Sequence, residues 1–330
     1  MLHIHNGDST AGTAREANLP GEHLAFREAM ICGPVPAELP PEKFREVRAR
    51  HLSESYNIDF AQCLRDLGDQ QKALEQARDH DEVILWFEHD LFCQIHLVYL
   101  LNWFSEHKLG CPRLSLVSID AFPGVEDFRG LGQLNETQLA SLFPARQEIT
   151  SGQLNLGSKA WRAFTSSNPT QIESLLQSDT SALPFLHRAM TKHLERFPSI
   201  RNGLGRIENV ALDLIAAGQT KFMTLFPEFG RREAIYGLGD TQFYLTMKRL
   251  ADAPIPLLIT EGDQPDSTAS QNLSRKSFQI TKQGQQVMNG ERNFVSLNGI
   301  DMWLGGVHLD GKQTIWDWDE SQNKLVQSVE

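Results

Sequence analysis

Basic residues are in short supply: 31 Lys and Arg stand against 42 Asp and Glu, for a formal net charge of −11. That deficit excludes broad electrostatic attraction to nucleic acid or to an anionic membrane surface. The last third is less acidic than the rest, yet it is not basic. Cysteine is sparse too. Cys32, Cys63, Cys93 and Cys111 are spaced too widely for a zinc-ribbon pattern or a disulfide framework, so reduced thiols in a cytoplasmic protein are expected. No uninterrupted apolar stretch approaches the roughly 18 residues that suggest a membrane span. The N-terminus lacks the basic-then-apolar order of a signal peptide. Neither a repeat of solenoid period nor a low-complexity segment is apparent.

What is present points to ordered globular domains. The 330 residues, 40% hydrophobic and 22% charged, suffice for two or three domains with real cores. Four short apolar runs in the first 120 residues each break off into polar, mostly ionisable side chains. They read LHIH-NGDSTAGT, HLAF-RE, VILWF-EHD and LSLVSI-D. In a parallel sheet covered by helices, ligands sit in the crevice at the carboxyl ends of the strands. The runs set Asn6, Asp8, Ser9, Arg27, Glu28, Glu88, His89, Asp90 and Asp120 along that edge.

Strands at Leu2–His5, from His23, at Val83–Phe87 and at Leu114–Ile119 alternate with helical patterns. Those helices are expected near Thr13–Asn18, from Glu42 to about His80 with a break near Ser53–Asn57, and from Leu91 to Phe104 behind an Asp90 cap. Strand, helix, strand at these spacings gives an α/β fold with a doubly wound, mainly parallel sheet, Rossmann-like, over residues 1–125. Residues 126–198 read as a helical connector, broken near Asn168-Pro169 and Leu183-Pro184. Residues 199–330 begin with an amphipathic helix stopping at Gly218 and another that Asp240 would cap. The strand-like pair LLIT and SFQIT follows, an order that fits a winged-helix-like α+β domain.

Gly7 and Gly12 have the separation of a phosphate-binding P-loop, but Thr13 stands where that motif has lysine. A reduced anion cradle remains, with Asn6, Ser9, Thr10 and Gly12 at a helix start; the plainer reading is a capped strand-to-helix turn. Ser9 as an esterase nucleophile needs a histidine and its orienting acid. The chain contains no Asp-x-x-His pair, and its nearest late histidine is in GGVHLD. Glu88, His89 and Asp90 form the densest ionisable cluster. With Asp8, Glu88 and Asp90 are candidates for acid/base catalysis, and Asp8 with Asp90 for holding a divalent cation through oxygen. Adjacent strand residues face opposite ways, so Glu88 and His89 share a site only if the strand has ended. Arg27 suits an anionic ligand through its forked guanidinium, or forms a local pair with Glu28. Gln94 lies one turn beyond Asp90. His3 and His5 alternate on the first strand and read as core residues.

Near the C-terminus, Lys248 and Arg249 lie on the would-be recognition helix, and Arg275 and Lys276 beside the would-be wing. Two basic pairs on a net-acidic segment make a poor DNA footprint. Gly305-Gly306 permits positive φ or close backbone approach, in a hairpin expected to pack Trp303 and Trp316. The blocks HIHNGDSTAGT, FREAMICGPVP, ILWFEHDLFCQ, LPFLHRAMTKHLERFP, NGLGRIENVALDLI and NGIDMWLGGVHL together cover most of the chain. They resemble the bacterial family catalogued as domain of unknown function 1835. That resemblance implies a cytosolic bacterial protein and brings no catalytic residue with it. From the residues themselves, three functions are open. The first is an enzyme on a small phosphorylated or otherwise anionic substrate, a nucleotide included. The others are a ligand-sensing regulator that binds DNA through the winged helix, and a non-catalytic interaction protein.

Overall fold

The computed structural model describes residues 1–107, 113–262, 273–313 and 315–327. Cys111 and most of the polar loop between LLIT and SFQIT lie outside the described residues. The chain divides into two compact units, Met1–Met190 with Gly305–Val307, and Thr191–Leu304 with His308–Glu330.

The first unit is mixed α/β. Its elements are β1 (Leu2–His5), α1 (Asp8–Glu16), β2 (Glu22–Ala25), α2 (Pro41–Tyr56), α3 (Phe60–Glu75), β3 (Glu82–Trp86), α4 (Leu91–Glu106) and β4 (Arg113–Val117). Then come α5 (Glu136–Leu142), β5 (Gln147–Glu148), α6 (Ser151–Thr165), α7 (Thr170–Leu176) and α8 (Leu186–Leu194), within which the division between units falls. The sheet runs β2-β1-β3-β4-β5, with β1 to β4 parallel and β5 antiparallel to β4.

Every residue of β1 and β3 is buried, as for strands covered on both faces. Ile84 and Trp86 pack with Ala14, Leu131 and Leu139. His3 and His5 pair in register with Ile84 and Trp86 and so share that face. The β1–β2 and β3–β4 crossovers run in opposite directions along the sheet, and right-handed connections then assign α1 and α4 to opposite faces. The carboxyl ends of β1 and β3 become neighbours where the strand order reverses.

Local chemistry explains most helix ends. α2 begins on Pro41 and stops at Asn57, which takes the left-handed conformation at φ 53°. Asp59 caps α3 through the Gln62 N–H, and Asn135 and Thr150 form capping boxes with Gln138 and Gln153. α1 starts at Asp8, earlier than the expected Thr13, because Gly7 at φ +100° turns the chain directly out of β1. The Gly305-Gly306 pair works as its composition suggests. Gly305 has φ +62°, and a Cβ on Gly306 would lie 1.7 Å from the Thr165 carbonyl oxygen. Val35 N–H donates to Gly305 O at 2.9 Å, and Gly306 N–H to Phe164 O at 2.9 Å.

The second unit contains α9 (Arg206–Ala216), α10 (Phe222–Arg232), α11 (Asp240–Ala251), β6 (Leu258–Glu261), β7 (Ser277–Ile280), α12 (Lys282–Met288) and α13 (Phe294–Asn298). β8 (Ile300–Leu304), β9 (Val307–Gly311), β10 (Trp316–Asp319) and β11 (Lys324–Gln327) complete the chain. β6 and β7 pair antiparallel, and Lys221 bridges to Ser277. α9 ends as expected before Gly218, at φ +97°. α10 was not anticipated: Phe222, Leu225 and Phe229 form its buried stripe despite Pro227 inside it. Asp240 is the first residue of α11 and Gly239 its N-cap, so the expected aspartate cap is corrected. Trp318 is the buried tryptophan of the tail, whereas Trp303 stacks on His308 at 4.4 Å between centroids. Among the described residues, no helix is long and apolar enough to cross a membrane.

Candidate functional site

β3 ends at Trp86, so residues 87–90 are released from strand alternation before α4 begins. That release lets Glu88 and Asp90 turn to one place. Asp90 caps α4, its Oδ1 accepting the Cys93 N–H at 2.8 Å. Gln94 donates from Nε2 to Glu88 O at 2.6 Å and so braces the turn. The Cys93 thiol donates to Glu88 Oε2 at 2.7 Å, and Leu131 N–H donates to Glu88 Oε1 at 2.6 Å. Asn6 arrives from the end of β1. Its Nδ2 donates to Cys93 Sγ at 2.6 Å, while its Oδ1 accepts from His96 Nδ1 at 2.8 Å. One ligating atom from each of Glu88, Asp90 and Cys93 lies within 4.8 Å of the others, and all three residues are buried.

Burial dominates the electrostatics. It raises Glu88, and with the neighbouring Glu88 charge it raises Asp90 to about 7. Burial, reinforced by both carboxylates, pushes the Cys93 thiol well up. It also lowers His96 to about 4, keeping that imidazole neutral. Other buried glutamates are compensated. Glu28 pairs with Arg48, Glu82 with Arg113 and Arg146, Glu208 with Arg249, and Glu233 with Arg206. Among the described residues, no lysine or arginine pairs with Glu88 or Asp90.

The α1 side is arranged differently. Asp8 does not join Glu88 and Asp90 in the buried cluster. It is exposed and accepts both arms of the Arg27 fork, from Nε to Oδ2 at 2.7 Å and from Nη2 to Oδ1. The Arg27 hydrogen bond holds the Asp8 carboxyl below its ordinary range. Ser9 is exposed, Thr10 is buried, and Gly12 lies within α1. The glycine spacing therefore does not form a phosphate loop: the turn is Asn6-Gly7, and the helix starts with no side-chain cap. Glu28 turns inward to Arg48 rather than to Arg27. Asp120 is exposed beyond β4. His89 packs near the rings of Phe128 and Phe185, and its Nδ1 is buried without a hydrogen-bond partner.

Thus Asn6, Glu88, Asp90 and Gln94 are brought together, and Asp8 and Arg27 form a pair of their own. Sequence reasoning missed Cys93, His96 and Arg48 as members of polar networks. The spacing of Cys93 to Asp90 across the first turn of α4 was the one available signal. His3, His5 and His23 form a second cluster, closed by complementary tautomers. His3 Nε2 donates to Pro20 O at 3.0 Å and His3 Nδ1 accepts from Trp86 Nε1 at 3.1 Å. His23 Nε2 donates to Leu19 O at 3.1 Å, which leaves its Nδ1 to accept from His5 Nε2 at 3.0 Å.

In the second unit, Lys248 pairs with Asp252, and Arg249 pairs with Glu208 and lies over the Phe294 ring. Lys276 is buried over the Tyr244 ring. No protein-family model matches the chain, and no curated protein matches it either.

Proposed function

We propose that the chain is an enzyme acting on a small anionic substrate, phosphorylated and with nucleotides in its class, at the carboxyl ends of β1 and β3. The first 125 residues then form a Rossmann-like, doubly wound domain, and the protein belongs with the bacterial family whose sequence blocks it resembles. One observation carries the reading: Asn6, Glu88, Asp90 and Gln94 converge where the strand order reverses, the place where open α/β sheets bind ligands. The uncapped start of α1, with Ser9 exposed beside it, presents backbone N–H groups and the positive helix end to the anion. Arg27 supplies charge by exchanging Asp8 for the ligand. Glu88 and Asp90 are the reactive side of the site, through proton transfer or through a bound divalent cation.

A thermal-shift series with inorganic phosphate, sugar phosphates and nucleotides tests this. A rise in Tm that is lost in Arg27→Ala supports it. If none of these anions shifts Tm, the reading fails.

A second reading draws on the order α9, α10, α11, β6, β7 with the Lys221–Ser277 bridge, which fits a winged-helix-like domain over residues 199–330. It makes the protein a ligand-sensing regulator that binds DNA. Undetectable DNA binding at low ionic strength removes that reading.

A further inference from the structure

Among the described residues, the buried carboxylates other than Glu88 and Asp90 are met by a counter-charge or by several hydrogen-bond donors. Glu28, Glu82, Glu208 and Glu233 each have an arginine within ion-pair distance, and Asp319 is met by Ser321 and Gln322 donors. Glu88 and Asp90 break the pattern. They are 6% and 4% exposed, and Cys93 meets both, its thiol donating to Glu88 Oε2 and its backbone N–H to Asp90 Oδ1. The Asn6 amide also donates to the sulfur, held in that orientation by His96. An N–H aimed at sulfur treats it as an acceptor, an arrangement that serves the thiol and stays in place for a thiolate once its proton has left. Two enclosed carboxylates with no cationic side chain beside them are costly, and a bound cation offsets that cost.

We infer that Glu88, Asp90 and Cys93 bind a divalent transition metal of the zinc class, with Asn6 and His96 orienting the thiolate ligand. Two carboxylate oxygens and one sulfur suit Zn(II) or Co(II) and not Ca(II) or Mg(II), which take oxygen alone. Binding requires the ligands deprotonated, so the Cys93 thiol proton passes to solvent as the sulfur takes the ion. The three-histidine cluster shows the contrast. Its ring nitrogens are engaged with one another and with Trp86, Pro20 and Leu19, except for His5 Nδ1. The inference rests on the proposed site for its place in the fold, but not on the substrate named there.

The test is a Co(II) titration of the full chain after chelator treatment, read by absorption, with Zn(II) as competitor. Expected are one Co(II) per chain, a sulfur-to-cobalt charge-transfer band in the near ultraviolet, and displacement of that band by Zn(II). Cys93→Ser removes the band. Asp90→Asn retains a helix cap and loses the Zn(II)-induced rise in Tm. Asn6→Ala weakens binding about 10- to 100-fold, as loss of an outer-shell partner does. Absence of the band in folded, metal-free protein overturns the inference, and so does a band that survives Cys93→Ser. Phosphate binding, measured on the same metal-free protein with and without Arg27→Ala, separates failure of the anion reading from failure of this one.

Discussion

Arg48 meets Glu28 at 2.7 Å with both side chains sealed from solvent. The guanidinium also donates to the carbonyls of Ala29, Cys32 and Pro34, so this one side chain ties α2 to the segment after β2. Burial works against the Glu28 charge, but Arg48 outweighs it and leaves the carboxyl below its ordinary range.

Glu28→Gln is expected to cost about 3–5 kcal/mol in urea unfolding, because it leaves the guanidinium buried and unpaired. The pair contributes fully above the unfolded glutamate value and is lost as pH falls through the lowered folded value. Glu28→Gln therefore costs less in acid than at neutral pH. An equal cost at both would remove Glu28 as the titrating group.

The histidine cluster gives the opposite kind of pH dependence from a buried, paired base. Burial lowers His3 to about 4 and His5 to about 2. Each is therefore bound neutral in the fold. Their contribution is present above the unfolded value near 6.5 and is lost as pH falls from there toward 4 for His3 and toward 2 for His5. The loss is up to about 1.4 kcal/mol for each tenfold difference in proton affinity between the unfolded and folded chain. A Tm profile from pH 8 to pH 4 should bend downward below about pH 6.5, and His5→Gln should soften the bend. A profile unchanged by that substitution would contradict the assignment.

Gly306→Ala places a methyl group where the Thr165 carbonyl already stands. The segment has to move, and a loss of about 3 kcal/mol is expected, the upper end for overpacking. Chemical denaturation reads it, and a loss below about 1 kcal/mol would mean the turn accommodates the methyl by shifting.

Asp8 and Arg27 form a well-shaped but solvent-exposed pair, with side chains 62% and 71% exposed. Asp8→Ala should change stability by less than about 1 kcal/mol. By freeing Arg27 it should also strengthen phosphate binding several-fold, whereas Arg27→Ala abolishes it. Calorimetric titration with inorganic phosphate distinguishes the two variants. Equal affinity in both would exclude Arg27 as the anion contact.

The sequence carried the parts of this structure that are local. The VILW run, the Asp90 cap, Pro41 with Asn57, and Gly218 after α9 each act over a few residues, and the four parallel strands of the first unit and most helices follow from such signals, whereas β5 does not. Long-range partners were not legible. Nothing near Glu28 in the chain points to Arg48, and nothing near Asn6 points to Cys93 or His96. α10 has a readable stripe in Phe222, Leu225 and Phe229, but Pro227 reads as a break. Asp8, Glu88 and Asp90 looked alike as acidic strand ends. Depth separated them: one is solvated and met by arginine, while the others are enclosed with a thiol.

The two rims of the sheet are abbreviated. β5 offers only Gln147 and Glu148, both exposed and running against their neighbour, and β2 is four residues long with Glu22 exposed and Pro20 just before it. A second chain approaching either rim finds too few unsatisfied amides to template a continued ladder, and a carboxylate at each. The architecture therefore keeps the interior of β1 and β3, its most aggregation-prone stretches, shielded from intermolecular stacking.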